Sequence, residues 1–309
     1  PQNPSYYLGF DVGGTFTKAV LMDGSGRVRQ KDIISSQGFD KKSFFAKSLK
    51  EVAGGLLSRE GVSASRLKAV GVGLPGPVDF DRGVVLSLTN IKGWKDFHIA
   101  SFLKKVFNVS VIVENDANCM ALAESRIGAA KGASFALCVT LGTGVGGGII
   151  ISRSLYRGAN NASGEIGHVP LNENGPRCNC QGRACLEAYI GNNRIIKAAR
   201  KLFKRNISLE ELSLKARKRN RLALGIWNQA GERLGIALAG AVNLLNLDAI
   251  VIGGGVANAG GILFDKVRKT LKERAMSVQG QHVKVFKAKL GNNAGLIGAA
   301  IVVKEGRNR

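Results

Sequence analysis

Apolar positions along the chain follow two periods. Short runs rich in β-branched and aromatic residues, at 7–10, 17–22, 28–34, 69–72, 109–113, 135–141, 149–151 and 249–252, have the length and composition of strands. Between them, apolar residues recur at helical spacing over residues 41–57, 117–126, 221–247, 262–275 and 294–304. The last of these stretches is apolar enough to pack back on the body. Strands alternating with helices predict a mixed α/β protein.

The forty-one glycines punctuate this pattern. Asp11-Val12-Gly13-Gly14-Thr15 joins the first two strands, and Gly142-Thr143-Gly144-Val145-Gly146-Gly147-Gly148 joins residues 135–141 to 149–151. These look like two copies of one strand–turn–strand device, about 130 residues apart. Two similar domains facing each other across a cleft are expected, which suits a length of 309 residues. The expected division is a small domain of 1–116 plus 293–309 and a large domain of 117–292. A third turn, Gly253-Gly254-Gly255, follows the strand at 249–252, and Gly73-Leu74-Pro75-Gly76-Pro77 follows the strand at 69–72.

Glycine turns after strands let backbone N–H groups approach phosphate, because no Cβ stands in the way. Asp11 at such a turn could hold a water on a magnesium ion, with the Thr15 and Thr143 hydroxyls facing phosphate oxygens. A lone Gly-Gly-Thr is more often an ordinary hairpin turn; two copies plus the third triple glycine favour a nucleotide cleft. No G-x-x-x-x-G-K-[ST] loop is present, and no GxGxxG opens a helix after the first strand, which counts against P-loop and dinucleotide-binding folds.

Glu114-Asn115-Asp116 lies where a strand gives way to a helix. Asp116 reads equally as that helix's N-cap and as a carboxylate accepting a hydroxyl proton during phosphoryl transfer, and the two roles are compatible. Further along come Gly164-Glu165-Ile166-Gly167-His168, then Cys178-Asn179-Cys180 and Cys185. One imidazole and three thiolates complete a tetrahedral zinc set with no open position, which points to a structural ion. Glu165 and Glu187 flank that set; they read either as surface acids or as carboxylates aimed at a ligand with several hydroxyls. Cys119 and Cys138 lie in apolar segments and read as buried hydrophobes.

Charge changes this picture little. Forty-five Lys and Arg against twenty-two Asp and Glu leave a net +23. The densest block, residues 197–221, holds ten basic side chains and two acids, Glu210 and Glu211. It lacks the stacking aromatics of a single-strand binder and reads as solvated helical surface. No apolar run approaches the roughly 20 residues of a spanning helix, and residues 1–5 carry no signal-peptide pattern. A soluble, cytoplasmic protein without membrane or specific nucleic-acid partners is expected.

The assembled motifs resemble the ROK family, and within it the bacterial ROK glucokinases. The resemblance runs from Leu8 to about Val303 and rests on residues 11–15, 73–77, 114–124, 141–148, 164–168, 178–187 and 253–255 in that order. It implies a two-domain actin-like, hexokinase-like (ribonuclease H-like) fold with a ligand cleft between the domains, ATP and Mg²⁺ in the cleft, and a homodimer. By position, Asp116 resembles the catalytic base, and Asn115, Asp116, Glu165, His168 and Glu187 resemble the sugar-hydroxyl contacts, with Gly76 and Asn90 expected to complete that pocket. Asp11, Gly13, Gly14, Thr15, Lys18, Gly142, Thr143, Gly144 and Gly254 match the nucleotide side. His168, Cys178, Cys180 and Cys185 match the zinc ligands, so that His168 could serve metal and sugar through its two ring nitrogens.

The family's usual C-x-C-G-x-x-G-C departs here at Gln181 and Ala184, which replace two glycines. The activity implied is ATP-dependent phosphorylation of a hexose, glucose first, with N-acetylmannosamine or N-acetylglucosamine as alternative acceptors. A sugar-sensing repressor is the rival class; only ten residues precede Asp11, too few for a helix-turn-helix. Polyphosphate in place of ATP is a further alternative that the charge would favour.

Overall fold

The computed structural model describes residues 5–88 and 91–306. The chain forms two compact units: residues 1–123, 157–163 and 292–309, and residues 124–156 and 164–291. The boundary runs inside the third helix rather than ahead of it, and a short arch at 157–163 belongs to the first unit.

The first unit contains β1 (Tyr6–Val12), β2 (Phe16–Asp23), β3 (Val28–Ser35), α1 (Lys42–Arg59), β4 (Leu67–Leu74), β5 (Val78–Asp79), β6 (Val84–Ser87), β7 (Lys95–Phe97), α2 (Ile99–Phe107), β8 (Ser110–Asn115) and the start of α3 (Asp116–Ile127). Its main sheet has the order β3-β2-β1-β4-β8, with β1, β4 and β8 parallel and β2 and β3 antiparallel to their neighbours. Strand β3 alternates half-buried and exposed positions, as an edge strand with one solvated face does. Strands β1 and β4 are buried nearly throughout.

The second unit contains β9 (Ala136–Leu141), β10 (Val145–Ile151), β11 (Ser154–Tyr156), α4 (Glu187–Ile190), α5 (Asn192–Phe203), α6 (Leu209–Arg217), α7 (Arg221–Leu245), β12 (Ala249–Gly253), α8 (Gly261–Arg274), α9 (Ser277–His282) and β13 (Lys284–Lys287). Its sheet has the order β11-β10-β9-β12-β13, with β9, β12 and β13 parallel. This is the topology of the first sheet strand for strand. The repeat seen at the glycine turns therefore extends to the whole sheet of each unit.

Each unit has its own core. Leu8, Phe10, Phe45, Leu49, Val70 and Trp94 lie at the centre of one, and Leu137, Val139, Leu186, Trp227, Leu234 and Ile250 at the centre of the other. The terminal helix α10 (Ala294–Gly306) carries buried residues at nearly every position and packs on β1 and β4 of the first unit. Its uninterrupted apolar run is that of a core helix; among the described residues no helix is long and apolar enough to cross a membrane. The basic block begins in α5 and continues through α6 into the first residue of α7. Ser208 caps α6 by accepting the Glu211 N–H at 3.1 Å, and Lys197, Arg200, Lys201, Arg217 and Arg219 face solvent. Cys119 and Cys138 are fully buried, as expected of small apolar side chains.

Candidate functional site

The parallel strands of the first sheet set its chemistry at one edge. Asp11 on β1 pairs with Gly73 on β4, and Gly73 pairs with Glu114 on β8. The first glycine turn, the loop at 73–77 and the Asn115-Asp116 junction therefore all emerge from the carboxyl ends of adjacent strands, where open α/β sheets place ligands.

The turn after β1 is closed by a Gly13 N–H to Phe16 carbonyl hydrogen bond at 3.0 Å, and Gly14 and Thr15 are exposed. Burial holds the Asp11 carboxyl above its ordinary value; the Lys18 ammonium, 4.0 Å away, pulls it back down. Lys18 Nζ also donates to the Asn292 carbonyl at 2.9 Å. Lys18 thus stands beside Asp11, fixed in place.

Helix α3 starts differently from the sequence expectation. Its cap is Asn115, whose Oδ1 accepts the N–H groups of Ala117 at 2.9 Å and Asn118 at 3.1 Å. Asp116 is the first helical residue, and its Oδ1 accepts the Ala117 N–H at 2.8 Å. From one residue earlier, a side chain of the same length reaches the second and third amides, which is the capping geometry. The reading of Asp116 as N-cap is corrected accordingly. Asn115 also donates from Nδ2 to the Gly76 carbonyl at 3.1 Å, so it fastens the loop at 73–77 to the start of α3. Asn90 lies outside the described residues. Trp94, just after it, is buried, with its ring edge-on to Phe45 and Phe97 and its Nε1 donating to the Phe39 carbonyl at 2.8 Å.

In the second unit the glycine turn Gly142–Gly144 is closed by a Gly142 N–H to Gly144 carbonyl bond at 2.9 Å. Thr143 is exposed at its tip. The Val145 N–H donates to Glu187 Oε2 at 2.9 Å, and a Cβ on residue 144 would stand 2.6 Å from that same oxygen. A side chain on residue 144 would push that carboxylate away from the Val145 N–H. Gly254 follows β12 with φ +87°, where a Cβ would also strike the Leu141 carbonyl, so its backbone lies directly against the end of β9. Helix α5 begins at this turn: the Asn192 N–H donates to the Gly142 carbonyl at 2.9 Å. The Asn192 Oδ1 is buried without a hydrogen-bond partner beside Gly255, a residue the motif reading passed over because nothing in its neighbourhood repeats.

The thiol set closes around a point. His168 Nδ1 lies 3.7 Å from Cys178 Sγ, Cys180 Sγ lies 3.7 Å from Cys185 Sγ, and all four donor atoms lie within 4.8 Å of one another. A tetrahedral zinc with bonds of about 2.0–2.3 Å puts its donors roughly 3.5–3.8 Å apart, so the residues present fit such an ion. Burial raises the Cys178 thiol and lifts Cys185 to about 12, whereas the Gly182 N–H lowers exposed Cys180. Three thiols this close need a cation to ionise together. The other ring nitrogen, His168 Nε2, lies 3.8 Å from the exposed Glu165 carboxylate. Gln181 and Ala184, at the two positions where glycine is usual, both keep left-handed backbone, φ 72° and 57°.

The expected residues thus fall into two sets. Asp11, Gly13, Gly14, Thr15, Lys18, Gly76, Asn115 and Asp116 belong to the first unit; Gly142, Thr143, Gly144, Gly254, Glu165, Glu187, His168 and the three cysteines belong to the second. Sequence reasoning missed Glu114 as a buried hub and Arg157 as its partner, since a basic residue after a short strand carries no signal of its own.

Two units of one sheet topology, each with a glycine turn between its first two antiparallel strands, are the actin-like fold of sugar kinases. The sequence model of the ROK family matches residues 7–306, and this chain belongs to that family. The glucokinase of Halalkalibacterium halodurans is 33% identical over 318 aligned residues, covering 98% of this chain and 96% of its own. The xylose repressor of Bacillus spizizenii is 29% identical, covering 97% of this chain and 77% of its own. Among solved structures, a ROK family glucokinase from Streptomyces griseus in complex with glucose and AMPPNP superposes with a TM-score of 0.82 at 29% identity, over 98% of this chain and 100% of its own.

Proposed function

We propose that this protein is an ATP-dependent hexose kinase that converts glucose and ATP to glucose 6-phosphate and ADP. The observation that carries the reading is the common edge of the first sheet. There the Asp11–Thr15 turn and the Asp116 carboxylate emerge from β1 and β8, the strands on either side of β4, the second held by the Asn115 cap. The glucokinase relative and the S. griseus complex with glucose and AMPPNP support it.

The sugar 6-hydroxyl would pass its proton to the Asp116 carboxylate as the oxygen attacks the γ-phosphorus and the bond to the ADP oxygen breaks. Such a loose transfer needs alignment and charge neutralisation more than covalent help. Gly13, Gly14, Thr15, Gly142, Thr143, Gly144 and Gly254 offer backbone and hydroxyl donors to the nucleotide. Asp11 would hold a water of the magnesium that arrives with ATP, which supplies neutralisation of the developing charge. Gly76, Asn90, Asn115, Glu165, His168 and Glu187 would line the sugar. His168, Cys178, Cys180 and Cys185 would hold a structural zinc, with no position open for water.

A coupled ADP-release assay over glucose, mannose, fructose, N-acetylglucosamine and N-acetylmannosamine tests this. Turnover on glucose is expected; turnover only on an acetylated sugar would keep the mechanism and change the substrate. Absence of turnover on every sugar would overturn the kinase reading. It would favour a sugar-sensing role, the second reading, which the similarity to the xylose repressor supports.

A further inference from the structure

Arg157 directly follows β11, and with residues 158–163 it belongs to the first unit, although the chain on either side belongs to the second. Its guanidinium carbon lies 3.6 Å from the centre of the Phe80 ring. Its Nε donates to Glu114 Oε2 at 2.7 Å, with the two side chains 18% and 3% exposed. A carboxylate buried as deeply as Glu114 is costly unless a cation and further donors satisfy it.

The remaining oxygen of Glu114 makes the connection to the site. Oε1 accepts the Asn115 N–H at 2.9 Å and the Asn118 Nδ2–H at 2.9 Å. Asn115 caps α3 and holds the Gly76 carbonyl, and Asp116 lies between those two asparagines in sequence. One buried carboxylate therefore ties the arch at 157–163 to the two residues that fix the start of α3. The arch has a second anchor on the same turn as Phe80, where Asn161 Nδ2 donates to Asp81 Oδ2 at 3.1 Å. A Ser163 N–H to Arg157 carbonyl bond at 3.1 Å closes it.

The electrostatics have the same shape. Asp11, Glu114 and Asp116 all press upward on the buried Cys119 thiol, after the dominant effect of its burial, and Arg157 is the cation that opposes them there. Three carboxylates around one buried point need such a counter-charge.

We infer that Arg157 is a positioning residue for phosphoryl transfer: through Glu114 it fixes the Asn115-Asp116 helix start and offsets the charge beside Asp116. The inference rests on the kinase reading above. Its hydrogen-bonded link to the helix start passes through one carboxylate, Glu114. Its planar guanidinium both stacks on Phe80 and reaches Glu114, which a lysine ammonium reproduces only in charge.

The test uses the full chain with Arg157→Met, Arg157→Lys, Glu114→Gln and the Arg157→Met/Glu114→Gln double variant. Steady-state kinetics on the turned-over sugar are measured beside melting temperature. In Arg157→Met, kcat is expected to fall about tenfold to a hundredfold, the cost of a base held out of line, while KM for ATP changes little. The acid limb of its kcat profile moves to higher pH. The charged groups around Cys119, three residues along α3 from Asp116, are then Glu114 on β8, Asp11 on β1 and Asp116 itself, with Arg157 gone. Arg157→Lys restores the limb and part of kcat, and the double variant loses no more than Arg157→Met alone.

Wild-type turnover with kcat unchanged in a folded Arg157→Met overturns this inference and leaves the kinase reading standing. A lower kcat with an unmoved acid limb and no rescue by lysine assigns Arg157 to folding alone and also overturns it. If Arg157→Met does not fold, an unchanged kcat in both Glu114→Gln and Arg157→Lys does the same. A wild-type chain without turnover on any sugar overturns both.

Discussion

Glu187, the first residue of α4, accepts the Val145 N–H at 2.9 Å through one oxygen, while its other oxygen lies 3.8 Å from Cys178 Sγ. A single carboxylate thereby touches both the second glycine turn and the thiol set. Glu187→Ala leaves the Val145 N–H without its acceptor, at a cost of about 1–3 kcal/mol. We expect KM for both ATP and sugar to rise about tenfold, whereas Glu165→Ala, whose exposed carboxylate faces His168, raises KM for sugar alone. Steady-state kinetics with each substrate varied in turn check this; an effect of Glu187→Ala confined to sugar would contradict the link to the turn.

The donor spacing at His168, Cys178, Cys180 and Cys185 predicts about one zinc per chain in elemental analysis of protein purified without chelator. Cys185→Ser is expected to lose that metal and to lower the melting temperature by more than about 5 °C, because metal affinity in a closed site is folding free energy. Full stability in a metal-free Cys185→Ser would show that the ion does not hold the loop.

Gln181 keeps φ 72° on an exposed loop, a region that costs a residue with a Cβ roughly 1–2 kcal/mol. Gln181→Gly should therefore raise the melting temperature by about 2–4 °C without changing zinc content. Ala184 has the same backbone, φ 57°, but its side chain is fully buried, so Ala184→Gly trades strain for lost packing and should be nearly neutral. Thermal melts of the two variants separate the effects; destabilisation by Gln181→Gly would contradict the strain argument.

Burial raises Asp11 above 3.8, with Lys18 opposing. A carboxyl whose folded value is raised gives stability below its unfolded value, and loses it as pH climbs through the folded value. At neutral pH the ionised group is a net cost. Asp11→Asn should therefore melt roughly 1–3 °C higher than wild type at pH 7 and lose that advantage towards pH 3. It should also turn over at least tenfold more slowly if Asp11 serves the magnesium. Melting curves across pH decide it, and a variant less stable than wild type at pH 7 would sink the claim.

Much of the fold was legible because glycine turns and alternating runs are local. Strand β12 and helices α7, α8 and α10 lie within two residues of their expected bounds. The common topology of the two sheets was only hinted at by the paired turns, since strand order is fixed by pairing between distant segments. The cap of α3 went to Asn115 because capping is decided by which side chain reaches the second and third amides, and Asn-Asp in sequence leaves both open. Arg157 was illegible for a different reason. Its partner Glu114 lies 43 positions away, and a buried ion pair leaves no periodic trace. The left-handed backbone at Gln181 and Ala184 was equally hidden, because neither residue type announces it.

The most direct measurement is the ADP-release rate of Asp116→Asn against wild type on saturating glucose, with glucose binding followed by calorimetry. Asparagine keeps the shape of the side chain and cannot take the hydroxyl proton. The account predicts a kcat at least a hundredfold lower with glucose affinity within about threefold of wild type. A kcat within tenfold of wild type, with binding intact, would contradict it.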